Sequence, residues 1–180
     1  MGDPEAARQE DTSMGEEIER RFLVAGEVPD GSTRRTERIE QGYLPLDVDG
    51  AEVRVRRRGG QILMTVKGGT GLVRTECEEP IPPALFDALW PLTEAARIAK
   101  ERRTVALEGG ETAEVDDFGG RLAGLAMVEV EFETAEAAHA FRAPSWFGRE
   151  VTDDARYQNR SLARGEGVPQ PSGPGADDGS

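Results

Sequence analysis

Short segments in which apolar and charged residues alternate recur along this sequence, and they constrain its fold more than any other feature. Alternation with a period of two is typical of β-strands, because successive side chains point to opposite faces of a sheet. Glycine-containing turns such as RGGQ, GGTG and EGGE separate several of the segments. The eight segments are EIERRFLV, RIEQGYL, AEVRVRRR, QILMTVKG, LVRTECEEPI, RIAKERRTVAL, TAEVDDF and AMVEVEFE. The sequence therefore predicts a mainly β fold of eight strands.

Nearly every one of these segments has a charged face. Arg54 and Arg56, for example, share one face of their segment, while Val53 and Val55 share the other. A solvated face of an antiparallel sheet explains any single strand. It does not explain the whole set, because the polar positions are almost all Arg, Lys, Glu or Asp, with acids grouped on some strands and bases on others. Since a sheet of this size can close and turn one face into an interior, we predict an α+β, mainly β fold: an eight-stranded antiparallel closed β-barrel whose charged face lines a tunnel.

Three short segments have helical character, and we expect them to pack outside the barrel. PPALFDALW begins with prolines that suit the first turn of a helix. TAEAAHAF begins with Thr134, a residue that can cap a helix N-terminus. In TDDARYQNRSLA, Asp153 and Asp154 follow Thr152 and suit a helix N-terminus.

The chain of 180 residues is long enough for one domain with a sizeable core. The first 15 residues are polar and acidic, and the last 16 are rich in glycine and proline. Such segments bury too little apolar surface to fold. We therefore expect disordered tails at 1–15 and 165–180 and one folded domain at 16–164.

The composition excludes several classes of function. A formal net charge of −13 argues against nonspecific binding of nucleic acid or anionic lipid. No apolar run is as long as a membrane span, and the first residues lack the features of a signal peptide. With Cys77 as the only cysteine, the chain has neither an internal disulfide nor a cysteine metal site. These features predict a soluble, cytoplasmic protein.

Charges of both signs on one face indicate a ligand that brings its own charges. Arg and Lys side chains suit phosphate oxygens, and Glu and Asp are the natural oxygen ligands of Mg²⁺ or Mn²⁺. A bound metal ion can join the acids to the phosphates. The pattern therefore predicts a metal-bound polyphosphate or nucleotide as the ligand.

The charged segments also resemble a known family. The motifs EIERR, QGYL, VRVR, TVKGGTGLVRTECE, AKERR, EVDDF, VEVEF and WFGREVTDDARYQNRSLA follow one another across residues 17–163. Together they resemble the CYTH superfamily, or triphosphate tunnel metalloenzymes, which includes class IV adenylate cyclases, thiamine triphosphatases and bacterial inorganic triphosphatases. EIERR resembles the E-x-E-x-K signature of that family, and QGYL and the GREVTDDARYQN ending resemble its short bacterial members. The resemblance implies an eight-stranded antiparallel tunnel, open at both ends, that acts on triphosphate groups with a divalent metal, Mg²⁺ or Mn²⁺.

The resemblance further implies roles for individual residues. The expected metal ligands are Glu17, Glu19, Glu129 and Glu131. The expected triphosphate-binding residues are Arg54, Arg56, Lys67, Arg74, Lys100 and Arg102. Further tunnel acids, which balance the bases or help to bind a second metal, are Glu76, Glu78, Glu114 and Asp116.

The catalytic candidates are Arg21, Tyr43 and Lys100. Arg21 stands where the family signature has a lysine. Because a guanidinium group does not readily lose a proton, this change is expected to affect turnover more than phosphate binding. Tyr43 is either a hydrogen-bonding group near a metal-bound water or an aromatic plug at the end of a strand.

The leading hypothesis is hydrolysis of inorganic tripolyphosphate to pyrophosphate and phosphate by a metal-activated water. The alternatives are a class IV-type adenylate cyclase, a thiamine triphosphatase, or a noncatalytic polyphosphate- or nucleotide-binding module. The expected partner is a small anionic substrate, tripolyphosphate or a nucleoside triphosphate, with no nucleic acid and no membrane. A monomer or a homodimer is expected.

Overall fold

The structure is a computed structural model that describes residues 18–46, 51–68 and 75–170. The described residues do not include the predicted tail 1–15, residues 171–180 of the other predicted tail, or most of the GGTG turn. They also do not include the predicted site residues Glu17 and Arg74 or the side chain of Glu76. Within the described part of the chain, no helix is long and apolar enough to cross a membrane.

One antiparallel sheet forms the body of the protein. Its strands are β1 (Ile18–Val24), β2 (Thr33–Tyr43), β3 (Glu52–Arg58), β4 (Gln61–Gly68), β5 (Thr75–Pro80), β6 (Arg97–Ala106), β7 (Thr112–Phe118), β8 (Ala126–Phe132) and β9 (Phe147–Glu150). Their order in the sheet is β5-β4-β3-β2-β6-β7-β8-β1-β9. The first eight strands coincide with the eight alternating segments, so the mainly β, antiparallel prediction is confirmed.

The predicted closed barrel of eight strands is wrong in two respects. The sheet has nine strands, and within the described residues its edge strands β5 and β9 do not pair with each other. The ninth strand comes from a segment of four residues, FGRE, that is too short to show alternation. Trp146 and Phe147 bury their rings against the outside of the sheet, and this packing brings β9 alongside β1.

The sheet is nevertheless strongly curved, with its charged face on the concave side. Arg58 of β3 and Glu114 of β7 form an ion pair of 3.6 Å although β2 and β6 lie between their strands. Neighbouring strands are about 4.8 Å apart, so these side chains span three strand spacings. We call this concave, charged side the inner face.

The outer face of β1, β6, β7 and β8 carries one hydrophobic cluster. It is covered by α2 (Ala135–Ala140) and by the aromatic residues that precede and begin β9. The members of this cluster are Phe22, Val105, Ala113, Val115, Val128, Val130, Phe141, Trp146 and Phe147. Thr134 caps α2, because its hydroxyl accepts a hydrogen bond of 3.1 Å from the Ala137 N–H, as the sequence predicts. A further helix, α1 (Pro83–Leu89), follows β5.

The C-terminal helix α3 (Asn159–Arg164) lies against one end of the inner face, and the prediction that all helices pack outside is wrong for it. Ile98 and Phe118 have the same strand parity as the inner-face charges, and they form a cluster with Tyr157 and Leu162 from the C-terminal segment. The inner face is apolar at this end of the strands and requires a cover. Residues 165–170, which the sequence analysis assigns to a tail, continue from this cover, and Val168 packs against the same cluster.

Tyr43 ends β2 within this second cluster, where its ring is 2% exposed. Its hydroxyl accepts a hydrogen bond of 2.8 Å from Gln41 Nε2. Burial raises the pKa of Tyr43 to about 12. The ring is therefore buried at the end of its strand, and the hydroxyl stays protonated at neutral pH and is able to form hydrogen bonds.

The first prediction concerns Gly42, whose hydrogen atoms face the turn at Trp90–Thr93 on the outside of the sheet. A Cβ at this position would lie 2.5 Å from Cβ of the buried Thr93. We expect Gly42→Ala to lower the free energy of unfolding by about 1–3 kcal/mol, the usual cost of overpacking. Denaturant unfolding measures this, with Gly68→Ala as the control because its Cβ would meet nothing within 4 Å. Equal stabilities of the two variants would contradict the close contact.

The second prediction concerns the alkaline stability of the fold. The pKa of Tyr43 is raised in the folded state, so its stabilising contribution is complete below its unfolded pKa of about 10 and is lost as the pH rises towards 12. Above about pH 10, the free energy of unfolding should therefore fall less steeply with pH in Tyr43→Phe than in wild type. The two slopes should differ by up to about 1.4 kcal/mol per pH unit. Urea unfolding from pH 9 to 11 tests this, with Tyr157→Phe as a control that keeps the Tyr43 titration. An identical pH slope in Tyr43→Phe and wild type would refute it.

Candidate active site

Arg102, on β6, is the centre of the charged inner face. Its guanidinium binds Asp116 in a bidentate manner, with Nε donating to Oδ1 and Nη2 donating to Oδ2, both at 2.6 Å. Nη2 also donates to Glu129 Oε2 at 2.8 Å, and Nη1 forms an ion pair with Glu114. The strand register produces this arrangement, because Arg102 lies opposite Asp116, and Glu114 lies opposite Glu129.

Lys100 lies two residues before Arg102 and shares its face. Its Nζ donates hydrogen bonds to Asp116 Oδ2 at 2.5 Å and to Asn159 Oδ1 at 3.1 Å. Burial lowers the pKa of Lys100, and the charge of Asp116 opposes this shift. Burial alone would raise the pKa of Asp116, but Lys100 and Arg102 bring it below its ordinary value.

Arg21 lies between two carboxylates of the same face. Its Nη2 forms an ion pair with Glu19, two residues earlier on β1, and its Nε donates at 3.3 Å to Glu129, directly opposite on β8. The backbone N–H of Arg21 donates to Thr152 Oγ1 at 3.0 Å, which holds this part of β1 in place. We call the set Glu19, Arg21, Lys100, Arg102, Glu114, Asp116 and Glu129 the acid–base cluster.

The predicted metal ligands that the structure describes are placed on adjacent strands. Glu19 lies opposite Glu131 on the β1–β8 ladder, and Glu129 lies beside them on the same face. Like charges directly opposite each other are destabilising, and a bound cation would relieve the repulsion. Carboxylate oxygens are suitable ligands for Mg²⁺ or Mn²⁺, so the chemistry of this donor set suits such an ion. In the described ranges, however, no group of three or more Asp, Glu, His or Cys residues is arranged to hold a metal. Arg21 pairs with Glu19 and Glu129 instead, and Glu131 is exposed.

A second group of inner-face residues lies on β3, β4 and β5. Arg54 and Arg56 of β3 both contact Glu78 of β5, and Thr65 of β4 lies between them. We call Arg54, Arg56, Thr65 and Glu78 the arginine cluster. Lys67, the remaining described base of the predicted phosphate site, lies near the end of β4.

Arg58 follows Arg56 on the same face of β3 and reaches the acid–base cluster. Its guanidinium pairs with Glu37 at 3.2 Å and with Glu114 of the acid–base cluster at 3.6 Å. Glu37 is buried and also pairs with Arg35 at 2.6 Å. Ion pairs of the inner face therefore extend from β3 across β2 and β6 to the acid–base cluster.

Several residues of this network are not among the sequence-predicted site residues. Glu37 is missed because the predicted strand begins at Arg38, whereas β2 begins at Thr33. Arg58 has the same parity as Arg54 and Arg56, and this signal could have identified it. The contact of Asn159 with Lys100 has no local sequence signal, because it joins residues that are far apart in the chain.

Comparisons with known proteins agree with this architecture. The sequence model of the CYTH domain matches residues 15–163. The inorganic triphosphatase of Nitrosomonas europaea is 46% identical over 147 residues, which cover 82% of this chain and 96% of that protein. The inorganic triphosphatase of Acetivibrio thermocellus is 40% identical over 153 residues, which cover 84% of this chain and 95% of that protein.

A solved structure shares the fold. The crystal structure of the inorganic triphosphatase NE1496 superposes with a TM-score of 0.70 at 43% identity, and the match covers 86% of this chain and 98% of that one. The sheet described above is therefore the CYTH tunnel fold, and its edges β5 and β9 remain unpaired with each other among the described residues. Because the family match spans nearly all of the folded part, and the relatives align over almost their full length, this chain belongs to the CYTH domain family.

Proposed function

We propose that this protein is a hydrolase that cleaves inorganic triphosphate to pyrophosphate and phosphate. Two relatives at 46% and 40% identity are inorganic triphosphatases, and this chain aligns with nearly their whole length. The observation that carries the proposal is that the arginine cluster and the acid–base cluster lie on one concave face. Such a face suits an elongated polyanion with a bound cation.

The bases of the inner face supply the groups that bind phosphate. Arg54, Arg56 and Arg102 present guanidinium groups whose planar donors match phosphate oxygens. Each is already oriented by a carboxylate, so it loses little additional side-chain freedom when it binds. These contacts hold the triphosphate along the face.

Glu19, Glu129 and Glu131, with Glu17, are the residues that would hold Mg²⁺ or Mn²⁺. When bound, such an ion neutralises phosphate charge and lowers the pKa of a coordinated water. Arg21 contacts both Glu19 and Glu129, so it would have to give up these carboxylates for them to hold the ion.

Arg102 and Lys100 are positioned to stabilise the transferring phosphoryl group. Asp116 fixes both side chains, with two hydrogen bonds from Arg102 and one from Lys100. Asn159 accepts a further hydrogen bond from Lys100 and fixes its direction. Preorganised cations of this kind stabilise developing charge without reorganisation during the reaction.

Two residues are unsuited to proton transfer in this site. Arg21 carries a guanidinium group, which is a hydrogen-bond donor without an acceptor site. Tyr43 stays a neutral phenol at neutral pH because burial raises its pKa to about 12. Tyr43 can therefore donate a hydrogen bond but does not act as a base.

The third prediction tests the activity itself. Release of phosphate and pyrophosphate is measured from tripolyphosphate, ATP and thiamine triphosphate, with Mg²⁺, with Mn²⁺ and with a chelator. We expect metal-dependent cleavage that is strongest on tripolyphosphate. Glu19→Gln should lower this rate on the order of 100-fold, since it removes a ligand charge, and Glu101→Gln on the exposed outer face should not.

Other outcomes of this assay would replace the proposal. Cyclic AMP and pyrophosphate from ATP would indicate an adenylate cyclase, and preferential cleavage of thiamine triphosphate would indicate a thiamine triphosphatase. Tight binding of tripolyphosphate without release of phosphate would indicate a noncatalytic binding module. Full activity in Glu19→Gln would remove this residue from the mechanism.

The fourth prediction concerns the arginine that replaces the signature lysine. Arg21 contacts Glu19 and Glu129 at once, whereas a lysine presents one compact ammonium group. Arg21→Lys should free one carboxylate and lower the metal concentration for half-maximal activity by about two- to tenfold, the equivalent of one hydrogen bond. A titration of activity with Mg²⁺ measures this. An unchanged or higher metal requirement in Arg21→Lys would contradict the competition between Arg21 and the metal for these carboxylates.

A further inference from the structure

Glu78 occupies the centre of the arginine cluster. Arg56 Nη2 donates to both of its carboxylate oxygens, at 2.8 and 2.7 Å. Thr65 Oγ1 donates to Oε2 at 2.5 Å, and Arg54 Nη2 donates to the same oxygen at 3.4 Å. The carboxylate is thus bound by two guanidinium groups and a hydroxyl, a set of donors that also suits a phosphate group.

Glu78 does not satisfy these donors fully. Within the described part of the chain, Arg54 Nε and Arg56 Nε are buried and have no hydrogen-bond partner. Buried donors without partners are costly, and each guanidinium carries five N–H groups against the two oxygens of one carboxylate. A phosphate group offers more acceptor oxygens at the same place.

The two arginines differ in their electrostatics. Burial alone would lower the pKa of Arg54, but the nearby Tyr43 and Glu78 bring it above its ordinary value. Burial, together with the neighbouring Arg54, lowers the pKa of Arg56. Partial burial alone would raise the pKa of Glu78, but the hydrogen bond from Thr65 and the charge of Arg56 bring it below its ordinary value. Glu78 is therefore a charged carboxylate at neutral pH that partly compensates two arginines.

The position of Glu78 allows it to leave. It lies on β5, an edge strand of the sheet whose described partner is β4 alone. Its side chain is 32% exposed, whereas those of Arg54 and Arg56 are 13% and 11% exposed. The carboxylate can move towards solvent while both arginines remain in place.

We propose that Glu78 is an internal competitor for the phosphate site formed by Arg54, Arg56 and Thr65, and that it sets the affinity for triphosphate by having to leave when a phosphate group binds. This inference rests on the proposed function for the identity of the ligand. It assigns Glu78 to balancing the bases and not to binding a second metal. The contacts of Glu78 compensate two buried arginines at the expense of affinity for the phosphate group.

The fifth prediction tests this competition by isothermal titration calorimetry with tripolyphosphate in the presence of a chelator. Glu78→Gln and Glu78→Ala should each bind about tenfold more tightly than wild type, because a charge-assisted hydrogen bond no longer has to be broken. Glu79→Gln is the matched control, since it removes the same charge from the next, exposed residue of the same strand. In turnover with metal, the Glu78 variants should have a KM that is lower by a similar factor.

The outcomes separate this inference from the proposed function. Equal or weaker binding in both Glu78 variants, relative to Glu79→Gln, overturns the competition. The competition is also overturned if the Glu78 variants need more metal for half-maximal activity but do not bind tripolyphosphate more tightly in the presence of the chelator. That is the behaviour expected of a metal ligand.

Pyrophosphate serves as a second probe. If wild type releases no phosphate from tripolyphosphate, but Glu78→Gln binds pyrophosphate more tightly than Glu79→Gln does, the competition stands and the proposed function fails. If no variant binds either anion, the competition is overturned.

Discussion

The bidentate contact between Arg102 and Asp116 is the interaction on which the inner face depends. Both side chains are almost fully buried, at 7% and 1% exposure, so neither charge is stabilised by bulk water. Loss of one partner of such a pair typically costs about 3–5 kcal/mol, because the other charge is left uncompensated. Asp116 also holds Lys100, and Arg102 also holds Glu129, so this one contact fixes side chains on the three strands β6, β7 and β8. A buried ion pair is rarely the most stable solution for a core, and its presence here is explained by the need for fixed charges on the concave face.

Much of the fold follows from the sequence because the signals for its strands are local. The period-two alternation identifies QILMTVKG and TAEVDDF with the same bounds as β4 and β7. Closure of the sheet is different, because it depends on which distant edges meet, and a single strand carries no information about this. Alternation also does not reveal β9, because the strand has only four residues and lies beside β1 through the packing of Trp146 and Phe147.

The candidate site is predictable to a similar degree. Parity within each strand, together with the separation of charged from apolar positions, places Arg54, Lys100 and Asp116 on one face, and the family resemblance gives them roles. Which acid pairs with which base could not be predicted, because ion pairs such as that between Arg58 and Glu114 cross several strands and depend on the curvature of the sheet. The position of α3 could not be predicted from the sequence for a related reason. The inner face changes from charged to apolar at Ile98 and Phe118, and the helix covers this apolar end instead of the outside.

The charges of the candidate site are compensated within the protein at both of its ends, and this has a consequence for binding. Arg21 bridges two expected metal ligands, and Glu78 bridges two expected phosphate ligands. Under the proposed function, a metal ion alone would displace Arg21 and leave a guanidinium uncompensated, and a triphosphate alone would displace Glu78 and leave a carboxylate uncompensated. A metal ion and a triphosphate together would replace both internal pairs with their own opposite charges. The two ligands would then be coupled, so that each raises the affinity for the other by the same factor. The mixed charge of the inner face would therefore favour the complex of metal and triphosphate over either component alone.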